Sequence, residues 1–186
     1  MSAQNDILNL QRAQLRHDES YHQDILVLDT ARRAKHMTLH NAKYSGRFVA
    51  AIEDGDKSLF ARTLTDAFII SLATANIFAH DLRYELPPES KESSTLQDLG
   101  ILLAESSNEK PSFLRSYSGL AGEMAKACES LDHLEDYPFR TKLTKCNAGI
   151  FRAVLIEASV RQIDMAAFYN ERIADVEARS PRRLFQ

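Results

Sequence analysis

The sequence predicts an all-α fold, an antiparallel helical bundle. Three observations carry this. Turn-formers are scarce, with 6 glycines and 5 prolines in 186 residues. Apolar residues recur at three- and four-residue steps over most of the chain, and alternating runs are few. Two stretches, 38–82 and 113–164, follow one plan: a helix, an acidic break and a second, more apolar helix. The chain divides accordingly into N-terminal helices (1–35), a first helical hairpin (36–82), a linker with one short helix (83–112), a second related hairpin (113–178) and a basic tail (179–186).

Composition narrows the function classes. Charged residues are 26% and hydrophobic ones 44%, ordinary for a soluble domain. A net charge of −3 argues against general nucleic-acid binding, which needs a basic surface. No apolar run is long enough to span a bilayer. The N-terminal MSAQNDILNLQRAQ lacks a basic start followed by an apolar core, so no signal peptide is expected. Cys128 and Cys146 fall inside helical patterns and read as buried reduced thiols, which fits a cytoplasmic protein.

In chain order, Asn5 to Leu15 reads as a short amphipathic arm that docks or frays. Ser20 to His36 reads as a second helix, capped by Ser20 and ending in a basic turn with Arg32, Arg33, Lys35 and His36. Thr38 is placed to cap the next helix and Gly55 to end it. After Asp54-Gly55-Asp56 comes a helix apolar on most sides, through Leu64, Ala67, Phe68, Ile69, Ile70 and Leu72. Pro87-Pro88 opens the linker, and a short helix is expected from Thr95 to Ala104. Helical patterns return at Phe113, break at Glu135 to Pro138, resume to Asp164, and end in an amphipathic helix from Met165 to Ala178.

Asp66 lies in the middle of the most apolar helix. A carboxylate there needs a partner, because an unpaired buried charge is costly. The two hairpins are also alike in detail. Tyr44-Ser45-Gly46-Arg47 matches Leu120-Ala121-Gly122-Glu123, and the buried helices close on Asp81-Leu82 and Asp164-Met165. Their polar centres are Asp66 and Asn147. A long repeat in two copies suggests duplication and fusion.

At these residues the chain resembles the MazG-like all-α nucleoside triphosphate pyrophosphatases. That family carries paired glutamates, a glycine and a further glutamate on one helix. Glutamate and, three positions on, aspartate follow on a second helix that ends in Asp-Leu. The resemblance implies carboxylates that hold Mg²⁺ on a triphosphate while water attacks the α-phosphorus, and single units that assemble as dimers. The framework matches over 36–82 and, more weakly, over 113–172. Lys43 and Tyr44 stand where the family has its glutamate pair, Arg47 where it has the glutamate after glycine, and Thr63 where the second helix has glutamate. Asp66 is in place, and Glu123 matches in the second half. If the protein is active, the resemblance makes Asp66 and Glu123 its surviving catalytic carboxylates and Mg²⁺ its cofactor. The substrate would then be a nucleotide, and a homo-oligomer the implied assembly.

Mg²⁺ wants several oxygen ligands in octahedral geometry, so Asp66 beside a lysine and an arginine predicts no metal site on this hairpin. Lys43 and Arg47 share one helix face. Either they pair with Asp66 as an internal salt bridge, which ranks first, or they bind phosphate with His40 lining the same pocket. His36 and His40 have metal-ligand spacing only if one helix holds both, and a helix start at Thr38 removes it. His80-Asp81 invites comparison with HD phosphohydrolases, with His40 and Asp132 or Asp136 as further ligands; this ranks third. No Ser-His-Asp, Cys-His or glycine-rich phosphate loop is present. Two functions remain ahead of it: an impaired nucleotide pyrophosphohydrolase or nucleotide-binding relative, and a catalytically inactive helical scaffold acting through assembly.

Overall fold

The structure, a computed structural model, describes residues 2–106 and 112–179. Eight α-helices are present among them: α1 (Ala3–Tyr21), α2 (Gln23–Leu26), α3 (Thr30–Glu53), α4 (Lys57–Ile77), α5 (Leu96–Glu105), α6 (Phe113–Asp132), α7 (Phe139–Val160) and α8 (Met165–Arg179). There is no strand among the described residues. The basic tail lies outside them except for Arg179, which closes α8, as does the 107–111 part of the linker.

Two hairpins, α3–α4 and α6–α7, form the centre, with α3 against α6 and α4 against α7. α4 also touches α1 and α8. Neighbours on four sides explain why the α4 sequence is apolar nearly all round: Phe60, Leu64, Ala67, Phe68, Leu72 and Ala75 are all buried. Phe48 of α3 sits within 4.9–5.1 Å, centroid to centroid, of Phe60, Phe113 and Tyr117 and joins three helices. Two buried hydrogen bonds cross this core: the Tyr117 hydroxyl donates to Asn41 Oδ1 (2.7 Å) and Asn147 Nδ2 to the Ser71 carbonyl (2.9 Å).

The α3–α4 turn follows its sequence signals. Gly55 adopts φ +65°, a left-handed conformation that costs glycine little, and the Asp56 N–H returns to the Ala51 carbonyl (2.9 Å). Asp56 then caps α4 by accepting from the Leu59 N–H (2.9 Å). Thr95 and Asp98 form a reciprocal capping box that starts α5.

Four boundaries differ from the sequence reading. α3 begins at Thr30, capped by Asp29 accepting from the Arg32 N–H (2.9 Å), and not at Thr38, whose hydroxyl bonds back to the Ala34 carbonyl (2.9 Å) inside the helix. Residues 30–37 contain no breaker, and Ala34 and Met37 join the buried face, so packing extends the helix by two turns. α1 runs to Tyr21, and Ser20 caps nothing: its hydroxyl donates to the Arg16 carbonyl (2.9 Å). The buried face of α1 turns polar after Leu10, through Gln11, Gln14 and His17, and so hides from an apolar period. α4 and α7 stop short of Asp81 and Asp164. Left-handed residues Ala79 (φ 50°) and Gln162 (φ 57°) end them, and each aspartate caps the turn or helix that follows.

The N-terminal arm is clamped. The Ala3 N–H donates to the Ser93 carbonyl (3.0 Å), and the Gln11 side chain both donates to the His80 carbonyl (3.0 Å) and accepts from the Leu82 N–H (3.1 Å). No helix among the described residues is long and apolar enough to cross a membrane.

Two glycines give opposite expectations. A Cβ on Gly100 of α5 would lie 2.4 Å from the Leu155 carbonyl oxygen of α7, backbone that cannot step aside. Gly100→Ala should therefore destabilise the fold by about 1–3 kcal/mol or more, by overpacking. Gly119 of α6 has nothing within 4 Å of a Cβ, so Gly119→Ala should stabilise by about 0.5–1 kcal/mol through helix propensity. Urea unfolding of the two variants beside the parent checks both signs.

Candidate functional site

α4 presents Asp66 toward α3 and α8. Its side chain is 9% exposed. The principal partner is Arg172 of α8, whose Nε donates to Asp66 Oδ1 at 2.6 Å and whose Nη2 lies 3.4 Å from Oδ2. Arg47 approaches the same Oδ2 at 3.7 Å. Of the two partners the sequence suggests, Arg47 makes the ion pair and Lys43 does not. Arg172, 106 residues along the chain, is the one sequence reasoning misses. Its only local signal is an arginine on an amphipathic C-terminal helix.

Lys43 turns instead to a polar chain along α3. Its ammonium donates to His40 Nδ1 at 3.1 Å, and the Tyr44 hydroxyl lies 3.2 Å from the same nitrogen. An ammonium has no acceptor, so His40 Nδ1 accepts and Nε2 carries the proton. That Nε2 donates across 3.1 Å to His36 Nε2. Because α3 starts at Thr30, His36 and His40 do share one helix, and the objection to their spacing falls away. The Lys43–His40–His36 relay engages both ring nitrogens of His40 and Nε2 of His36. Burial and then the Lys43 charge push His40 down to about 4, so its ring stays neutral near pH 7. Burial, followed by Arg47, lowers Lys43, and burial, followed by the Asp66 charge, raises the Tyr44 hydroxyl.

These side chains line one cavity of about 320 Å³, bounded by α1, α3, α4 and α8. His40, Lys43, Arg47 and Asp66 are brought together there, joined by Arg33 and Arg172. An apolar part of the lining comes from Ile69, Ile70, Ala73 and Ile77 of α4 with Ile173 and Val176 of α8. Four basic side chains face two carboxylates, Asp66 and Asp18. The cations outnumber the carboxylates, so the cavity is net positive, and burial pushes Asp18 up to about 6. Arg33 Nε is buried with no hydrogen-bond partner among the described residues, a donor left for something else. The cavity can hold an anion and pack an apolar group beside it.

Glu123 is not part of this assembly. It sits on α6, half exposed, paired with Lys142 Nζ of α7 at 2.6 Å, and does not line the cavity. His80 and Asp81 lie elsewhere too: His80 Nε2 is 3.0 Å from Glu85, and Arg83 grips Asp81 with two nitrogens at 2.6–3.0 Å. Cys128 and Cys146 are buried, free thiols, each pushed up by burial. Comparison with protein-family models, curated proteins and solved structures finds no match for this chain.

The two arginines on Asp66 are unequal. Arg172 is 19% exposed and bonded at 2.6 Å; Arg47 is 46% exposed and more distant. Arg172→Met should cost roughly 2–3 kcal/mol, below the ~3–5 of a fully buried pair because Arg47 remains. Arg47→Met should cost less than about 1 kcal/mol. Unfolding free energies of the two variants, measured side by side, test the ranking.

Proposed function

We propose that the protein binds a nucleotide, or a closely similar organic phosphate, in the cavity between α1, α3, α4 and α8, and that it is a nucleotide-binding relative of the MazG-like pyrophosphatases with little or no hydrolytic activity. The observation that carries this reading is the convergence of Arg33, Lys43, Arg47 and Arg172 on one cavity that α4 and α8 also line with apolar side chains. Guanidinium forks suit phosphate oxygens, and an apolar wall suits a base. A volume of about 320 Å³ is in the range of small-ligand sites. Lys43 and Arg47 are the exposed cations of the cavity and would exchange their contacts with His40 and Asp66 for a ligand, whereas Arg172 is held by Asp66 at 2.6 Å.

The carboxylates argue for weak chemistry. Asp66 is neutralised by two arginines and Glu123 by a lysine, so neither offers the oxygen-rich cluster that Mg²⁺ requires. Without an ordered Mg²⁺ on these residues the Lewis-acid contribution to pyrophosphate release is lost. We take the α3–α4 and α6–α7 hairpins as copies of one ancestral unit. Supporting this is their matched ending: left-handed Ala79 and Gln162, a return bond to Ala75 and Ala158 (2.9 Å each), then Asp81 and Asp164 as caps.

Thermal unfolding with ATP, ADP and inorganic pyrophosphate is the test. A nucleotide at 100 times its Kd stabilises by about 2.7 kcal/mol, which a melting curve resolves. We expect stabilisation by nucleotide, loss of that response in Arg47→Ala with the unliganded melt nearly unchanged, and no pyrophosphate release above background with Mg²⁺ or Mn²⁺. Release abolished by Asp66→Ala would make the protein an enzyme. No response to any of the three compounds would reject the nucleotide reading and leave the inactive scaffold that acts by assembly.

A further inference from the structure

The α1 wall of the cavity carries a second constellation. His17 and Asp18 close α1, and His22 stands in the break before α2. One donor atom from each lies within 4.8 Å of the others. His17 is buried, while Asp18 and His22 are half-buried and line the cavity with it. We propose that His17, Asp18 and His22 form a site for one borderline divalent transition-metal ion, Zn²⁺ the best suited, with its remaining coordination positions open to the cavity.

The donor set fits that class. Two imidazoles and one carboxylate favour Zn²⁺, Fe²⁺ or Co²⁺ over the all-oxygen shells of Mg²⁺ and Ca²⁺. Three protein ligands with a fourth position left to water is the arrangement of reactive zinc sites, whereas structural sites are closed by four. Asp18 and His22 are four residues apart, a spacing that brings two side chains to one face at the end of α1, and His17 adjoins Asp18 in the sequence.

The outer shell is already built, and α8 supplies it. Glu177 Oε1 lies 3.1 Å from His17 Nδ1. A carboxylate there accepts the Nδ1 proton and leaves Nε2 with a free lone pair, the tautomer a metal needs. Gln14 Nε2 donates to Asp18 Oδ1 at 2.7 Å, which leaves Oδ2 available, and Gln14 is itself fixed by the Tyr169 hydroxyl at 3.1 Å. Unpaired exposed histidines have no such support. The His36–His40 pair, joined by its own hydrogen bond, is the rival position in the same cavity.

Arg33 and the other basic groups of the cavity oppose a dication, and three direct metal–ligand bonds must outweigh that repulsion. Once bound, the ion would add positive charge to an already cationic cavity and so strengthen its preference for an anion. The site does not depend on the nucleotide reading, and its test contains no nucleotide.

The test is calorimetric titration of the full chain with Zn²⁺ alone, in a non-chelating buffer near neutral pH. We expect one saturable site per chain. His22→Gln should weaken it by more than about 100-fold and Glu177→Gln, which removes only the orienting carboxylate, by about 10-fold. His36→Gln should leave it unchanged. Far-UV circular dichroism confirms that each variant is helical. Co²⁺ titration of the unaltered protein gives a second readout that needs no variant: visible d–d bands of a nitrogen- and oxygen-ligated ion, displaced by Zn²⁺. No saturable Zn²⁺ binding, absence of the Co²⁺ bands, or undiminished binding in His22→Gln would overturn the site. Binding lost in His36→Gln but kept in His22→Gln would move it to the rival pair.

Discussion

Burial of the Asp66 carboxylate in the most apolar helix is the constraint around which the rest is arranged. A charge in that position must be compensated or the helix must leave the core. Compensation comes from Arg172, and that requirement fixes where α8 lies: across α4, with its arginine inside and Asp175 and Glu177 beyond. The short Arg172–Asp66 bond thereby ties the C-terminal helix to the centre of the bundle. α8 in turn forms part of the apolar wall of the cavity and orients residues on α1 through Tyr169 and Glu177. One ion pair holds α8 against the cavity, and Arg33, Lys43 and Arg47 of α3 supply its excess positive charge.

The cavity combines two kinds of wall for a structural reason. α4 must be apolar toward α7 and α1 but polar where Asp66 meets α3 and α8. Where α1, α3 and α8 pass over α4 near that polar point, the packing is completed by long cationic side chains and imidazoles rather than by aliphatic ones. Flexible cationic arms leave space that aliphatic residues would fill, and Lys43 and Arg47 remain exposed to solvent. The result is an anion-friendly cavity beside an isoleucine-rich surface. His40 is kept neutral at one side of it by burial and then by the charge of Lys43, which donates to its Nδ1.

Elements whose signals are local were legible in the sequence. The Gly55 turn, the short helix after Thr95 and the apolar girth of α4 each follow from a few adjacent residues, as does the absence of strands among the described residues. Elements whose buried face is polar were not. α1 was shortened because Gln11, Gln14 and His17 continue its inner face with no apolar period. The early start of α3 was missed because Thr38 looks like a cap, while the real cap, Asp29, stands before a run with little apolar content.

The sequence by itself determined the fold class, the buried position of Asp66 and the demand that it be paired, because periodicity and the cost of a lone charge act within one helix. It also placed His40, Lys43 and Arg47 on one stretch of one helix. Only the tertiary structure decided the partner, since Arg172 is 106 residues away and nothing near it marks it out. The same holds for Glu123, which matches a family pattern locally but faces Lys142 on the surface of the other hairpin. It holds as well for Arg33, His17, Asp18 and His22, which share a cavity with Asp66 because α1 and α3 cross α4 there. Local propensity fixes helices; which side chains meet depends on how those helices cross, and that is set by packing over the whole bundle.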